Sequence, residues 1–273
     1  MKKKYVLIIG KSPSKGARSP ILWNKVFKKK KIDCKMSALD IPSKNILKKK
    51  FIKLQKDKYF LGGAITTPYK EDIAKLLKNR LTPEAKKIKA VNCLFRKKNI
   101  LYGTNTDGEA AVESLVKSFG NIQDKKILLI GFGGAGKAIA AYLSVAIRKK
   151  NSLNILIKNN KKYKSNYIFI NYRNLKLGNY DIIINATSMG FDNKRNLSPL
   201  SQYDIINFKP NCFIFDIIYN PKKTKFLNMC KKHNFKTKNG LDMNLRQAAI
   251  AFKYTIKVPK IGKIRKIMEI MTK

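Results

Sequence analysis

The sequence predicts an α/β protein of two domains, each built on an open, mostly parallel sheet with helices on both faces. Three observations carry that prediction. Apolar runs of strand length alternate with helical patterns from Tyr5 onward, the order expected of βαβ units. A later apolar run, Lys126 to Ile130, ends in the glycine-rich turn Gly131-Phe132-Gly133-Gly134-Ala135-Gly136, and a new helical pattern follows it. The chain has 273 residues, 44% of them hydrophobic, enough for two medium domains with cores of their own.

In chain order, Tyr5 to Ile9 reads as a strand closed by Gly10. The loop from Lys11 to Arg18 follows, and Ser19-Pro20 then opens a helix, with Ser19 as N-cap and Pro20 in the first turn. Ile21, Leu22 and Phe27 are expected to face inward. A strand near Asp33 to Leu39, a helix near Ser43 to Gln55 and a strand near Phe60 to Ile65 continue the alternation. Leu81-Thr82-Pro83-Glu84 starts a short helix. A strand over Lys89 to Phe95 and a turn at Lys97 to Asn99 lead to Leu101 through Gly108. Asp107 is placed to cap a helix running to Val116. After the glycine turn come strands at Leu153 to Ile157 and Tyr180 to Ile184. A helix from Gly240 to Tyr254 carries Leu241, Leu245, Ala248, Ala249 and Phe252 on one stripe, with Gln247 beside it. The basic, amphipathic tail from Lys253 to Lys273 reads as a solvated final helix.

Gly131, Gly133 and Gly136 fall on the spacing G-x-G-x-x-G between a strand and a helix. In that setting the first glycine permits the turn, the second lets backbone approach a pyrophosphate, and the third lets helix and strand pack closely. The helix N-terminus offers unpaired N–H groups to the anion. Gly131, Gly136 and Lys137 also fit a P-loop, but Ala138 lacks the hydroxyl that would hold Mg²⁺. A glycine-rich βα turn with no ligand is the bland alternative. The strand ending at Ile157 is followed by Lys158-Asn159-Asn160-Lys161-Lys162. NAD sites carry an acid here for the ribose 2′-hydroxyl. Cations with amide donors suit a 2′-phosphate, so the reading is a Rossmann-type domain taking NADP(H) rather than NAD(H).

The 60 basic and 16 acidic side chains give a formal charge of +44. That balance admits binding to nucleic acid or an anionic membrane. The lysines, however, are spread through every segment of a chain also rich in Asn and Ile. A solvated basic surface accounts for them, and no specific nucleic-acid or membrane partner is expected. Small anionic ligands would be steered inward. The apolar run after Lys2 to Lys4 stops at Gly10, shorter than the roughly 7–15 residues of a secretory leader. Cys34, Cys93, Cys212 and Cys230 form no C-x-x-C pair and read as free thiols in a reducing cytoplasm. His233 is the single histidine, so no metal site is expected near Cys230.

Thr66 and Lys70 stand just past the end of the strand Phe60 to Ile65, where open α/β sheets bind ligands. They read as a hydroxyl for a substrate polar group and an ammonium acid/base, or blandly as surface residues. Asn92 and Asp107 are polar residues within apolar surroundings.

Separated blocks spanning most of the chain resemble shikimate dehydrogenase. They are Gly10 to Pro20, Ile65 to Glu71, Ala90 to Asn92, Asn105 to Gly108, Gly131 to Gly136 and Ile184 to Gly190. Asp216 to Pro221 with Thr224, and Asn239 to Met243 leading to Gln247, agree. The resemblance implies NADPH-dependent reduction of 3-dehydroshikimate to shikimate. It implies a substrate-binding catalytic domain over residues 1–107, completed by helices in 240–273, and an NADP-binding domain over 108–239. Lys70 is implied as the catalytic lysine and Asp107 as its partner. Ser19, Thr66, Asn92, Tyr219 and Gln247 match substrate-contacting positions. A second carboxylate-binding serine aligns with Ala17, and Ser14 can replace it through a loop one residue longer. Gly131, Gly133, Gly134, Ala135, Gly136, Lys158, Asn159, Thr187, Met189 and Gly240 match cofactor-binding positions. Ala64 stands where an Asn is usual, and Lys158-Asn159-Asn160 where the family has Asn-Arg-Thr. A monomer or homodimer is expected. A quinate/shikimate dehydrogenase of broader specificity, and a basic nucleic-acid-binding protein on a decayed dinucleotide fold, are the alternatives.

Overall fold

The computed structural model describes residues 3–158 and 166–270. The chain divides into two compact units, residues 1–106 with 245–273 and residues 107–244.

The first unit holds β1 (Tyr5–Gly10), α1 (Ser19–Lys29), β2 (Lys35–Asp40), α2 (Lys44–Lys56), β3 (Phe60–Ile65), α3 (Lys70–Leu77), α4 (Pro83–Ile88), β4 (Cys93–Lys97) and β5 (Ile100–Thr104). The sheet runs β2-β1-β3-β4-β5. β1 pairs in parallel with β2 and β3, whereas β4 and β5 add antiparallel. The parallel expectation therefore holds for three strands only. Lys98 and Asn99 form the two-residue turn between β4 and β5, both with positive φ (46° and 62°), as the twist of a tight hairpin requires.

Alternation along β1 divides the core. Val6 and Ile8 pack on one face with Trp23, Phe27 and Met36. Ile9 packs on the other with Phe51, Tyr69, Ile73 and Leu77. Side chains two apart on a strand share a face. α1 departs from expectation in two ways. Ser19 is its first residue, with Arg18 in the cap position and no capping side-chain bond. Ile21 is 59% exposed, because Leu22, Trp23, Val26 and Phe27 already fill the inward arc. The Arg96 guanidinium closes the C-terminal end of α2 by donating to the carbonyls of Leu54 (3.1 Å), Gln55 (3.2 Å) and Asp57 (2.7 Å). A cation there also suits the negative end of the helix dipole.

The second unit begins with α5 (Asp107–Phe119). It continues through β6 (Ile127–Ile130), α6 (Gly134–Ala146), β7 (Leu153–Leu156), β8 (Ile168–Ile170) and β9 (Ile182–Asn185). α7 (Gln202–Ile206), β10 (Phe213–Asp216), α8 (Lys225–Lys232) and β11 (Lys236–Lys238) complete it. Asp107 lies inside the first turn of α5 rather than at its cap, and the helix runs three residues beyond Val116. The sheet order is β11-β10-β9-β6-β7-β8, and every pairing is parallel. From β6 the chain steps outward through β7 and β8, then returns to build β9, β10 and β11 on the other side. The direction reverses between β6 and β9. All residues of β6, β7, β9 and β10 are buried, as a parallel sheet covered on both faces demands.

The chain closes with α9 (Leu241–Ile256) and α10 (Ile261–Glu269), and the division between units falls inside α9. Ala248, Ala249 and Phe252 of α9 and Ile264, Ile267 and Met268 of α10 join the core that holds Trp23. The Trp23 and Phe252 rings meet nearly edge to face at 5.0 Å. The tail is amphipathic as expected. It is not a fully solvated helix, because Ile264, Ile267 and Met268 complete the core of the first unit while Lys263, Lys266 and Glu269 stay exposed on the other side. Among the described residues all four cysteines are free. No described helix is long and apolar enough to cross a membrane, and no described His, Cys, Asp or Glu cluster suits a metal.

Candidate active site

In the first unit, the candidate residues gather at the carboxyl ends of β1 and β3. A Cβ on Gly10 would lie 2.3 Å from Thr66 Cγ2, so the two loops touch. The Lys11 N–H donates to Thr67 O at 3.2 Å. The turn from Thr66 to Tyr69 includes a cis Thr67–Pro68 bond. It is pinned from below by the buried Tyr69, whose hydroxyl donates to Ile41 O at 2.7 Å. Lys70 follows as the first residue of α3, half-buried, and its carbonyl accepts from the Val91 N–H at 2.9 Å.

Asn92 is the hub of this region and is 2% exposed. Its carbonyl accepts from Ile65 N–H (2.8 Å), and its side-chain oxygen accepts from Thr106 N–H (2.8 Å). Its amide donates to Thr106 Oγ1 (3.0 Å) and to Gln247 Oε1 (3.3 Å). Gln247 therefore meets Asn92 across 155 residues of chain. Asn92 and Gln247 are thus joined directly, while Thr66 and Lys70 adjoin them through the backbone bonds of Ile65 and Val91. Ser19 is buried at the start of α1. Ser14 is differently engaged. Its N–H (3.0 Å) and its hydroxyl both donate to the Asp40 carboxylate at the end of β2. These two donors hold the Asp40 carboxyl below its usual range.

In the second unit, the glycine turn lies at the point where strand order reverses. Gly131 has φ of 96°, and a Cβ there would meet Thr187 Cγ2 at 2.8 Å. The loops after β6 and β9 are thus in contact. A Cβ on Gly136 would fall 2.2 Å from Gly131 O, so no side chain fits between turn and helix. A Cβ on Gly133 would meet nothing within 4 Å. Gly133 caps α6, and Gly134, Ala135 and Gly136 form its first turn. Two of the three glycines are thus demanded by packing. The third faces open space at a helix N-terminus, the arrangement that admits a phosphate group. Lys158 is exposed beyond β7. Asn159 lies outside the described residues.

The loop after β9 is held by a polar network rooted in the buried Asn185 and Asp216, to which the sequence pattern assigns no role of their own. Thr187 donates to Asn185 Oδ1 through its N–H (3.0 Å) and hydroxyl (2.7 Å). Met189 N–H donates to Thr187 Oγ1 at 3.1 Å. Asn185 in turn donates to Asp216 (3.1 Å), which also accepts from Ile218 N–H (3.0 Å) and the Thr224 hydroxyl (2.7 Å). Asp216 and Asn185 are wholly buried. Burial pushes the Asp216 carboxyl up to about 6 against the pull of these three donors. The signal in the sequence was an acid ending the apolar run Phe213 to Phe215 in a chain with few acids. Tyr219 is half-buried just beyond Ile218. Gly240 donates its N–H to Ile218 O at 2.9 Å, with no room for a Cβ against Ile217.

A six-stranded parallel sheet with a glycine turn at its switch point places the second unit in the Rossmann-type, dinucleotide-binding class. The family described as the shikimate dehydrogenase substrate binding domain matches residues 8–94. The chain is 35% identical over 265 residues to the shikimate dehydrogenase (NADP(+)) of Methanococcus aeolicus, covering 92% of this chain and 91% of that protein. It is 33% identical to the enzyme of that name from a Geobacillus species, covering 98% of each. The crystal structure of shikimate dehydrogenase 1 from Peptoclostridium difficile superposes with a TM-score of 0.84 at 30% identity, over 98% of this chain and 97% of that one. A shikimate dehydrogenase solved in complex with NADP+ gives 0.80 at 30% identity, over 99% and 96%. The chain belongs to the shikimate dehydrogenase family.

Proposed function

We propose that this protein reduces 3-dehydroshikimate to shikimate with NADPH, in the supply of aromatic amino-acid precursors. The observation that carries the reading is the open Gly133 at the switch point of the second unit, in a chain 35% identical to an NADP(+) enzyme over 92% of its length.

The first unit serves as the substrate domain and the second as the cofactor domain. The cofactor's diphosphate would be held by the amides of Gly133, Gly134, Ala135 and Gly136, and its 2′-phosphate by Lys158 with Asn159. Thr187, Met189 and Gly240 would border the nicotinamide. When bound, NADPH supplies the hydride. The protein supplies position and charge. Lys70 hydrogen-bonds the substrate carbonyl and gives its proton to the oxygen as negative charge develops there. Asp107 accepts from a ring hydroxyl and sets the ring's orientation. Asn92 and Gln247, already bonded to each other, present a preformed polar wall together with Thr66. Tyr219 contributes a further hydroxyl. Ser19 takes the substrate carboxylate. Ser14 joins it only on giving up Asp40, an exchange opposed by repulsion between that carboxylate and the substrate's own. The protein acts in the cytoplasm as a monomer or homodimer, without a specific nucleic-acid or membrane partner.

The test is NADPH oxidation with 3-dehydroshikimate, repeated with NADH, and with quinate and NADP+ in the reverse direction. kcat/KM is expected to be at least about tenfold higher with NADPH, the factor for one charge-assisted contact worth roughly 1.4 kcal/mol. Equal use of NADH would overturn the role given to Lys158. Absence of turnover with either cofactor would overturn the reaction.

A further inference from the structure

A second basic site lies on the second unit, apart from the glycine turn. The carboxyl end of β11, one face of α8 and the loop after Pro221 border an open cleft of about 280 Å³. Leu227 is the one apolar residue of its lining, and Lys231, one helical turn further along α8, stands on the same face. Lys222 and Lys223 enter from the loop, and Thr237 and Asn239 from the end of β11. No carboxylate lines it. Lys238 also borders the cleft, but its ammonium donates to Ser118 Oγ at 2.6 Å and pairs with Asp242 at 3.7 Å, so it is committed elsewhere. Lys222, Lys223 and Lys231, all exposed, remain among the residues that line this one concave space. Like charges gathered in a cleft focus a positive potential there, and a bound anion relieves their mutual repulsion.

The loop and the strand end are tied together through backbone rather than through lysine ammonium groups. Asn239 donates to Lys222 O at 3.0 Å and accepts from Leu241 N–H at 3.2 Å. The loop and the strand end therefore form one preformed frame rather than a chance meeting of side chains. We infer that this cleft is a site for a small, multiply charged anion of the diphosphate class, held by Lys222, Lys223 and Lys231. Lysines from two separate elements, the loop after Pro221 and α8, suit two linked phosphoryl groups better than one.

The test is calorimetric titration of inorganic diphosphate into the full-length protein at about 150 mM salt, where contacts beyond roughly 8 Å are screened. Saturating NADP+ is included to occupy the glycine turn, and NADP+ titrated alone reports separately on that turn. One saturable binding event is expected. Lys223→Glu and Lys231→Glu should each weaken it at least tenfold. Lys176→Glu, the same charge change elsewhere on the unit, should weaken it less than twofold. Absence of saturable binding with NADP+ present would overturn the site, as would equal weakening by all three variants. Circular dichroism of each variant confirms that the fold persists.

Discussion

Asp216 offers the sharpest test of how the second unit is held together. It is wholly buried, and burial lifts its carboxyl from 3.8 to about 6. In the unfolded chain it would titrate near its ordinary value. Between these values the folded state holds a proton that the unfolded state has lost. Stability falls as pH rises wherever the folded state binds more protons. The contribution of Asp216 is therefore intact below about pH 4 and lost by about pH 6. A shift of about two units, at 1.36 kcal/mol each, amounts to about 3 kcal/mol. Asp216→Asn removes the titration while keeping the shape. Its amide can face Thr224, whose hydroxyl can turn to accept. The measurement is urea unfolding of both proteins from pH 4 to 7.5, followed by circular dichroism. Subtracting the two profiles isolates this group from the many other charges. Wild type should lose about 3 kcal/mol relative to the variant across the range. A flat difference would refute the reasoning, since Asp216 would then titrate alike folded and unfolded. A difference of opposite slope would mean that the three donors, not burial, govern the carboxyl.

The glycine turn separates packing from binding. Gly136→Ala places a Cβ 2.2 Å from Gly131 O and should cost roughly 1–3 kcal/mol in thermal unfolding, the usual range for overpacking. Gly133→Ala meets open space; it should leave stability within about 0.5 kcal/mol but weaken NADP+ binding measured by calorimetry. Lys70→Ala should lower kcat by roughly 10²–10⁴ with little change in unfolding, and near-normal turnover would remove the proton-donor role. Asp107→Asn should cost less if it orients the ring, whereas equal losses would point to a shared proton relay. Asn92→Ala strips a buried hub of its side-chain bonds to Thr106 and Gln247. At roughly 1–3 kcal/mol for each buried polar group left unpaired, its unfolding midpoint should drop clearly, with KM for the substrate rising.

Local chemistry was legible wherever short-range sterics decide structure. The glycine spacing, the strands at Tyr5, Phe60 and Ile127, and the Thr82-Pro83 helix start all rest on a few adjacent residues. They appear within a residue or two of where the pattern puts them. Alternation of strand and helix likewise gave two α/β units, because each apolar face must be covered. What adjacent residues cannot specify is which side of an amphipathic element meets a distant partner. Ile21 and Leu22 are equally apolar, yet only Leu22 is buried, since the arc of α1 was set by Trp23 meeting Phe252. The tail's apolar stripe was visible, but its seat against α1 was not. The meeting of Asn92 with Gln247, the capture of Ser14 by Asp40 and the buried Asn185–Asp216–Thr224 network also needed the tertiary structure. Each joins groups brought side by side by sheet order, and sheet order comes from covering both faces of a whole sheet at once.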